Sequence, residues 1–332
     1  MIQGHGDDLY LYPQGAVRHN FSSNIPEPTN LQGLKTFLAS QLDCITTEPE
    51  PYTLEQLIAD REGVTPDNVV VTNGATEAIY LLAQAFQGSK STIPQPSFSE
   101  YASACRINRH KIGDNGDIVW LCNPNNPTGL VMTRDELGDR LAIQDILYVI
   151  DQAYENYTTE PLLTDAEAVA LGNVALIHSM TKQYGVPGLR LGYVVADNLI
   201  TERVRQVRQP WSVNALALCA GTYLGKQRPT VDTTGLLDRA QTLWKMLNTI
   251  DGVEMIPTKT NFMLGRITTG TAAELKAWLV GKYGILIRDA SNFEGLTPQH
   301  FRVAAQSEDE NQLLATAVHT YIHIRERKER NL

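Results

Sequence analysis

Residues 179–190 read Ser179-Met180-Thr181-Lys182-Gln183-Tyr184-Gly185-Val186-Pro187-Gly188-Leu189-Arg190. One apolar run, Val174 to Ile177, comes just before this stretch, and a second, Leu191 to Ala196, comes just after it. Short apolar runs bounded by turn residues are typical of buried strands, so we expect Lys182 to lie on a loop between two strands. The alternative is a solvated loop with Arg190 in a surface ion pair, which is the commoner reading of an isolated Lys/Arg pair.

The side chains of this loop suit an aldehyde that also carries a phosphate. Burial beside other cations lowers the pKa of an amine, and an uncharged amine on Lys182 can form a Schiff base with an aldehyde. Arg190 offers a planar fork that matches a phosphate, while Ser179 and Thr181 add hydroxyl donors. Pyridoxal 5'-phosphate (PLP) presents both groups, so the stretch predicts a PLP site.

Length, charge and cysteine content narrow the class of protein. The chain has 332 residues, and 42% of them are hydrophobic. This length exceeds the usual size of one domain. Its net charge of -9 would repel a phosphate backbone, so nucleic acid is not an expected partner. No run approaches the ~20 apolar residues of a membrane span, no signal-peptide pattern opens the chain, and the four cysteines form no CxxC pair. We expect a cytoplasmic protein with no membrane partner.

Alternating strand and helix patterns from about residue 69 to residue 196 predict an α/β fold. Such alternation is typical of a mostly parallel central sheet flanked by helices, with right-handed crossovers. A helix near 236–250 leads into a smaller α+β unit, with strands expected at 262–266, 285–288 and 301–304 and helices at 272–283 and 308–323. We expect an N-terminal arm (1–40) that joins the small domain, a large PLP-binding domain (41–220) and a small C-terminal domain (221–332).

A possible phosphate site lies after the first predicted strand, Val69 to Thr72. Asn73-Gly74 breaks the strand, and apolar residues then follow at helical spacing. The first amides of a helix are unpaired donors at the positive end of its dipole, so Ala75 and Thr76 are candidate phosphate ligands. Many α/β crossovers share this pattern and bind nothing.

Three further segments carry candidate site residues. Phe98 and Tyr101 could stack on a flat cofactor ring, although a role in the core or in an interface is the commoner explanation for each aromatic alone. Asn126 lies between two prolines and a glycine in Asn123-Pro124-Asn125-Asn126-Pro127-Thr128-Gly129, which restrict the backbone of that loop. Asp151 follows a buried strand, at the sheet edge where functional groups gather, and is either a helix cap or the partner of a cofactor's ring nitrogen.

These segments together resemble the class I/II aminotransferase family of fold type I PLP enzymes. The motifs are Asn73-Gly74-Ala75-Thr76-Glu77, Asn125-Asn126-Pro127-Thr128-Gly129, Asp151-Gln152-Ala153-Tyr154 and residues 179–190, in that order. The resemblance covers nearly the whole chain. It implies that Lys182 links to the cofactor aldehyde and that Asp151 pairs with the pyridine nitrogen. The other roles that it implies are phosphate binding by Ala75, Thr76, Ser179 and Arg190, binding of the ring hydroxyl by Asn126 and Tyr154, and ring stacking by Phe98 or Tyr101, with Phe98 preferred; Thr181 completes the expected cofactor residues.

Within this superfamily the chain is most similar to the threonine-phosphate decarboxylases of cobalamin biosynthesis. The closer segments are His5-Gly6, Phe21-Ser22-Ser23-Asn24-Ile25, Pro210-Trp211-Ser212-Val213-Asn214-Ala215-Leu216, Ile287-Arg288-Asp289 and Phe301-Arg302-Val303-Ala304. This likeness implies decarboxylation of L-threonine O-3-phosphate to (R)-1-amino-2-propanol O-phosphate. It also implies that the substrate residues are His5, Gly6, Asn24, Arg288 and Arg302. The two arginines could instead form internal salt bridges.

Two other functions stay open from the sequence. A histidinol-phosphate-type aminotransferase would keep every cofactor residue and change only the orientation of the substrate. A non-catalytic PLP-binding protein is disfavoured because Lys182, Asp151 and Arg190 are all present.

The family resemblance also implies a homodimer whose cofactor site borrows a tyrosine from the neighbouring subunit. Glu48 stands where that tyrosine is expected, and Tyr52 is its candidate replacement. His319 and His323 have the i, i+4 spacing of a metal pair, but no acidic residue lies between them. We expect no bound metal.

Overall fold

The structure is a computed structural model that describes residues 8–26, 30–227 and 231–330. His5 and Gly6, which we predict to contact the substrate, lie outside these residues. Within the described part of the chain, no helix has an apolar stretch long enough to cross a lipid bilayer.

A seven-stranded sheet forms the centre of the larger part of the molecule. Its strands lie in the order β2-β8-β7-β6-β5-β3-β4, and all neighbours are parallel except β8, which is antiparallel to β2 and β7. This sheet confirms the predicted α/β fold. The seven strands are β2 (Val69–Thr72), β3 (Lys90–Thr92), β4 (Lys111–Ile112), β5 (Ile118–Cys122), β6 (Leu147–Asp151), β7 (Val174–His178) and β8 (Gly192–Ala196).

Helices cover both faces of this sheet because several of its strands are apolar on both sides. β2, β7 and β8 are buried at every residue, as expected for strands between two helical layers. The apolar clusters between sheet and helices include one around Ile79, Trp120 and Val194, one around Ile58, Val71 and Leu191, and one around Leu137, Ile150 and Val174. The helices of this part are α1 (Gln32–Ser40), α2 (Tyr52–Glu62), α3 (Gly74–Ala85), α4 (Ser99–Ile107), α5 (Arg134–Leu141), α6 (Asp165–Leu171), α7 (Met180–Gln183), α8 (Asn198–Val207) and α9 (Ala215–Gly225).

A four-stranded antiparallel sheet organises the C-terminal part, in the order β12-β13-β10-β9. The predicted strands at 262–266 and 301–304 are confirmed, whereas the one predicted at 285–288 is divided into two short strands in different sheets; β9 is an additional edge strand. The elements here are α10 (Thr233–Asn248), β9 (Val253–Met255), β10 (Phe262–Ile267), α11 (Ala272–Tyr283), β11 (Ile285–Leu286), β12 (Arg288–Asp289), β13 (His300–Ala304) and α12 (Glu308–Arg330).

The N-terminal segment is attached to this C-terminal part. Its strand β1 (His19–Asn20) pairs in parallel with β11. Further back, the buried carboxylate of Asp8 accepts a hydrogen bond of 2.5 Å from the ammonium group of Lys276 on α11. Helix α9 runs across the predicted boundary at residue 220 and packs against α1 and α2. The division at residues 40 and 220 stays a prediction.

Gly129 is required where the loop that carries Asn126 meets β10. Its φ of +73° is a left-handed conformation, and a Cβ atom there would lie 2.5 Å from the carbonyl oxygen of Phe262. We expect Gly129→Ala to destabilise the protein by about 3 kcal/mol, because both strain and overpacking result. Its urea unfolding midpoint should fall. Gly138→Ala on α5, where a Cβ meets open space, should raise stability by about 0.5–1 kcal/mol and is the matched control.

Candidate active site

One cavity of about 530 Å³ lies at the carboxyl ends of the parallel strands and extends towards the C-terminal sheet. Its lining includes every predicted cofactor and substrate residue within the described part of the chain, although the role of each stays a prediction. These residues are Asn24, Ala75, Thr76, Phe98, Tyr101, Asn126, Asp151, Tyr154, Ser179, Thr181, Lys182, Arg190, Arg288 and Arg302.

The phosphate end of the cavity is built by the start of α3 and by Arg190. The helix begins at Gly74 with a φ of +82°, so the amides of Ala75 and Thr76 fall in its first turn, where they have no partner within the helix. A Cβ atom on Gly74 would lie 2.7 Å from Nη2 of Arg190. The space at the positive end of the helix dipole is therefore kept open beside a guanidinium, which suits a phosphate.

Asp151 ends β6 on the floor of the cavity and is 5% exposed. Its Oδ2 accepts a hydrogen bond from the hydroxyl of Tyr101 at 2.7 Å, and its Oδ1 accepts one from the amide of Ala153 at 2.9 Å. Burial raises the pKa of Asp151, while these two donors and the positive charges of His178 and Lys182 act in the opposite direction. The hydrogen bonds thus favour the ionised carboxylate that a protonated ring nitrogen needs.

Removing the Tyr101 hydroxyl tests whether its hydrogen bond helps to keep Asp151 ionised. We expect Tyr101→Phe to raise the pKa of Asp151 further, because a donor to the ionised form is lost. The carboxylate would then be protonated at a higher pH, and the acid limb of the kcat/KM profile should move upward. Tyr148→Phe, which alters another buried tyrosine in a different apolar cluster, should leave the acid limb in place.

Tyr154 and Asn126 lie on the side of the cavity nearest to Arg302. The Tyr154 hydroxyl accepts a hydrogen bond of 3.2 Å from Nδ2 of Asn24, and burial raises its pKa to about 12. Oδ1 of Asn126 accepts a bond of 2.5 Å from Nη1 of Arg302. Two buried atoms here have no partner, namely Oδ1 of Asn24 and Nε of Arg302. Both residues line the cavity, and unpartnered buried polar groups in such a place are typical of a site for a polar ligand.

Lys182 lies on a short helix rather than on the irregular loop that we predicted. Met180–Gln183 form α7, because the Ser179 carbonyl accepts bonds from the amides of Lys182 and Gln183, both at 3.1 Å. The hydroxyl of Tyr157 donates to the carbonyl oxygen of Lys182 at 2.7 Å. The Lys182 amine lies 5.8 Å from the centre of the Tyr154 ring. The lysine is thus held by backbone contacts at the junction of the cofactor residues.

Arg288 approaches the cavity from β12 and is 4% exposed. Its Nη2 donates to Oδ1 of Asn292 at 2.8 Å, and its guanidinium lies 5.5 Å from the centre of the Phe293 ring. Burial lowers the pKa of Arg288, whereas the negative charges of Asp8 and Asp289 raise it. Both Asn292 and Phe293 line the cavity, and the sequence analysis missed them because no motif marks their loop.

Phe98 and Tyr101 differ in what they contact. The two rings meet edge to face with centres 5.8 Å apart, and Tyr101 is buried against Trp120 with its hydroxyl on Asp151. Phe98 is only partly buried. Phe98 therefore remains the preferred candidate to cover a cofactor ring. The role of Tyr101 as a donor to Asp151 has no signal in the sequence, since the two residues are 50 positions apart.

The residues present fit PLP at each of its polar groups. The open space at Gly74 suits the phosphate, the buried and hydrogen-bonded Asp151 suits the ring nitrogen, and Lys182 supplies an amine between them. The fold and this site define a PLP-dependent enzyme of fold type I.

Comparisons with known proteins support this class. The profile of the family described as aminotransferase class I and II matches residues 29–113 and 111–318, and the chain belongs to this family. The crystal structure of L-threonine-O-3-phosphate decarboxylase from Porphyromonas gingivalis is similar, with 38% identity, a TM-score of 0.89, and coverage of 92% of this chain and 100% of that chain.

Two curated relatives have different activities, one a decarboxylase and the other an aminotransferase. The threonine-phosphate decarboxylase of Salmonella typhimurium is 29% identical over 333 residues, covering 90% of each chain. The histidinol-phosphate aminotransferase of Caldanaerobacter subterraneus is 28% identical over 298 residues, covering 82% of this chain and 83% of the relative.

Proposed function

We propose that this enzyme decarboxylates L-threonine O-3-phosphate to (R)-1-amino-2-propanol O-phosphate, a step of cobalamin biosynthesis. The observation that carries the proposal is the pair of buried arginines in the cavity, Arg288 and Arg302, of which Arg302 keeps an unpartnered Nε. Two guanidinium groups suit a substrate with two anionic groups. Similarity to proteins named threonine-phosphate decarboxylase supports the same choice.

Each side chain has a separate task in this reaction. PLP, when bound, accepts the electrons of the substrate bond that stands perpendicular to its ring. Asp151 holds the proton on the ring nitrogen, and Tyr154 and Asn126 orient the ring through its hydroxyl group. Arg288 and Arg302 would hold the two anions of the substrate, one of which is the carboxylate that leaves as CO2 when its bond to Cα breaks. Lys182 would deliver a proton to Cα from its ammonium group, in place of the carboxylate that is lost.

Product analysis tests the choice between the two reactions. Holoenzyme incubated with threonine phosphate should release one CO2 per substrate and yield aminopropanol phosphate, with no keto acid formed. Stoichiometric amino transfer from histidinol phosphate to 2-oxoglutarate, without CO2, would show that the enzyme is an aminotransferase instead.

Binding of the reaction product can show which of the two arginines holds the phosphate and which holds the carboxylate. Aminopropanol phosphate keeps the phosphate but lacks the carboxylate. Binding of this product should weaken when the arginine that holds the phosphate is replaced by glutamine, and should change little when the other arginine is replaced. Asn24 is proposed to close the cavity, because its orphaned Oδ1 can accept a hydrogen bond from the bound substrate.

We further propose a homodimer in the cytoplasm. Large apolar side chains between residues 42 and 52 are exposed, namely Leu42 at 54%, Ile45 at 66% and Tyr52 at 66%. A second copy of the chain would cover them, and Tyr52 would then approach the cofactor of its partner. All four cysteines are free, which suits a reducing compartment.

Light scattering on the eluting protein tests the dimer. Ile45→Asp should shift the mass to that of a monomer, because a charge would be buried in the interface. Ile107→Asp, at a site on α4 that is 68% exposed, should leave the dimer intact. A wild-type protein that elutes as a monomer at micromolar concentration would contradict the proposal.

A further inference from the structure

A buried ionic cluster lies behind the cofactor site, on the opposite face of the central sheet. Its members are Glu155, His178 and Asp165, which we call the His178 cluster. Nδ1 of His178 lies 3.1 Å from Oε2 of Glu155, and Nε2 lies 2.8 Å from Oδ1 of Asp165. Ile177, the preceding residue, pairs with Asp151, so His178 points to the other face of the sheet.

The imidazole ring in this cluster carries a positive charge. A neutral histidine has one N–H donor, whereas both ring nitrogens here face carboxylate oxygens, so both must donate. Burial lowers the pKa of His178, but the carboxylates of Asp165 and Glu155 outweigh that effect and hold the pKa well above 6.5. The cluster therefore has one positive and two negative charges.

Other groups around the ring belong to three neighbouring elements. Tyr193 on β8 stacks on the imidazole with ring centres 4.6 Å apart, and Arg61 on α2 donates to the Tyr193 hydroxyl at 3.0 Å. The positive charge of His178 is also felt by Asp151 on β6, whose pKa it lowers. The charge of the cluster therefore acts on a candidate cofactor residue on the other face of the sheet.

The cluster also joins the two segments that carry the reacting groups. His178 directly precedes the segment of Ser179 and Lys182, and Glu155 directly follows Tyr154. The bond from Tyr157 to the carbonyl of Lys182 joins the same two segments a second time. Asp165, at the start of α6, ties both of them to the helical layer.

We propose that His178, held between Glu155 and Asp165, is a positioning residue that fixes Lys182 against Tyr154 and sets the electric field at the link between Lys182 and the cofactor. This role deepens the proposed function, but it rests on the cofactor site and not on which reaction follows. A spectroscopic test therefore separates it from the choice between decarboxylase and aminotransferase.

The test is a pH titration of the visible absorbance of the holoenzyme, which reports the proton on the link to Lys182. His178→Gln changes the charge of the cluster from -1 to -2 and should raise the midpoint by about half a unit. Glu155→Gln changes it from -1 to 0 and should lower the midpoint by about the same amount. If the substitutions only loosened the structure, the two variants would not be expected to shift the midpoint in opposite directions.

Two further variants complete the design. His178→Arg restores a permanent positive charge between the carboxylates and should return the midpoint towards the wild-type value. His110→Gln alters another buried histidine, whose ring nitrogens contact Ser91 and the carbonyl of Ala83, and should lower Tm without moving the midpoint. Turnover of His178→Gln should fall about 10-fold in kcat with KM nearly unchanged, because Lys182 is misplaced.

The proposal would be overturned if both substitutions left the midpoint within about 0.1 unit of wild type, since a charge change nearby must shift it. Shifts of the two variants in the same direction would overturn it equally. If His178→Gln fails to fold, Glu155→Gln decides the question alone, because that side chain is 27% exposed and tolerates substitution better.

Discussion

Lys182→Ala should abolish turnover, with kcat reduced by about 10⁴-fold or more, because in the proposed mechanism one amine both links the cofactor and moves the proton. The visible absorbance of the linked cofactor should disappear from the purified protein, even when PLP is added in excess. Steady-state assays with threonine phosphate and an absorbance scan measure both effects.

Lys259→Ala is the matched control for this experiment. Its amine lies 2.7 Å from Glu160 on the surface and is 62% exposed, so its loss should leave kcat and the spectrum unchanged. If Lys182→Ala retained more than a small fraction of wild-type kcat, the assignment of Lys182 would be wrong.

Hydrophobic patterning was enough to predict the longer strands of the central sheet, but not its short strands β3 and β4. Apolar runs such as 69–71, 146–150 and 174–177 are buried strands in the structure, because burial on both faces requires continuous apolar residues. Some of the candidate cofactor residues could be singled out for a related reason, because they lie at or next to the end of such a strand. Asp151 is the last residue of β6, and Ser179 comes one residue after β7.

The supporting contacts could not be predicted in this way. The hydrogen bond between Tyr101 and Asp151 depends on how α4 packs against β6, and no local pattern encodes that approach. His178 directly follows an apolar run, and no motif marks it, because its two carboxylate partners lie 23 and 13 residues before it. The ion pair of Asp8 and Lys276 spans 268 residues. Such contacts depend on the tertiary fold.

Asp151→Asn should reduce kcat by about 10²- to 10³-fold, because the variant keeps the shape of the carboxylate but loses its charge. The hydrogen bonds at this position allow that separation. The amide oxygen of asparagine can still accept from the Ala153 amide, and its NH2 group can donate to the Tyr101 oxygen, which lies 2.7 Å away in the wild type. The packing is therefore preserved, and the ring nitrogen loses the anion that stabilises its proton.

The readouts of Asp151→Asn are kcat, the dissociation constant of PLP and the absorbance spectrum. PLP should bind more weakly, since a charge-assisted hydrogen bond to the ring is lost. Asp117→Asn serves as control, because Asp117 lies exposed at the opposite end of the sheet and accepts a bond from the Lys90 amide at 3.2 Å. A variant at Asp151 with at least about half of the wild-type kcat would mean that the ring nitrogen need not be protonated, since a charge effect of this kind is worth far more than twofold.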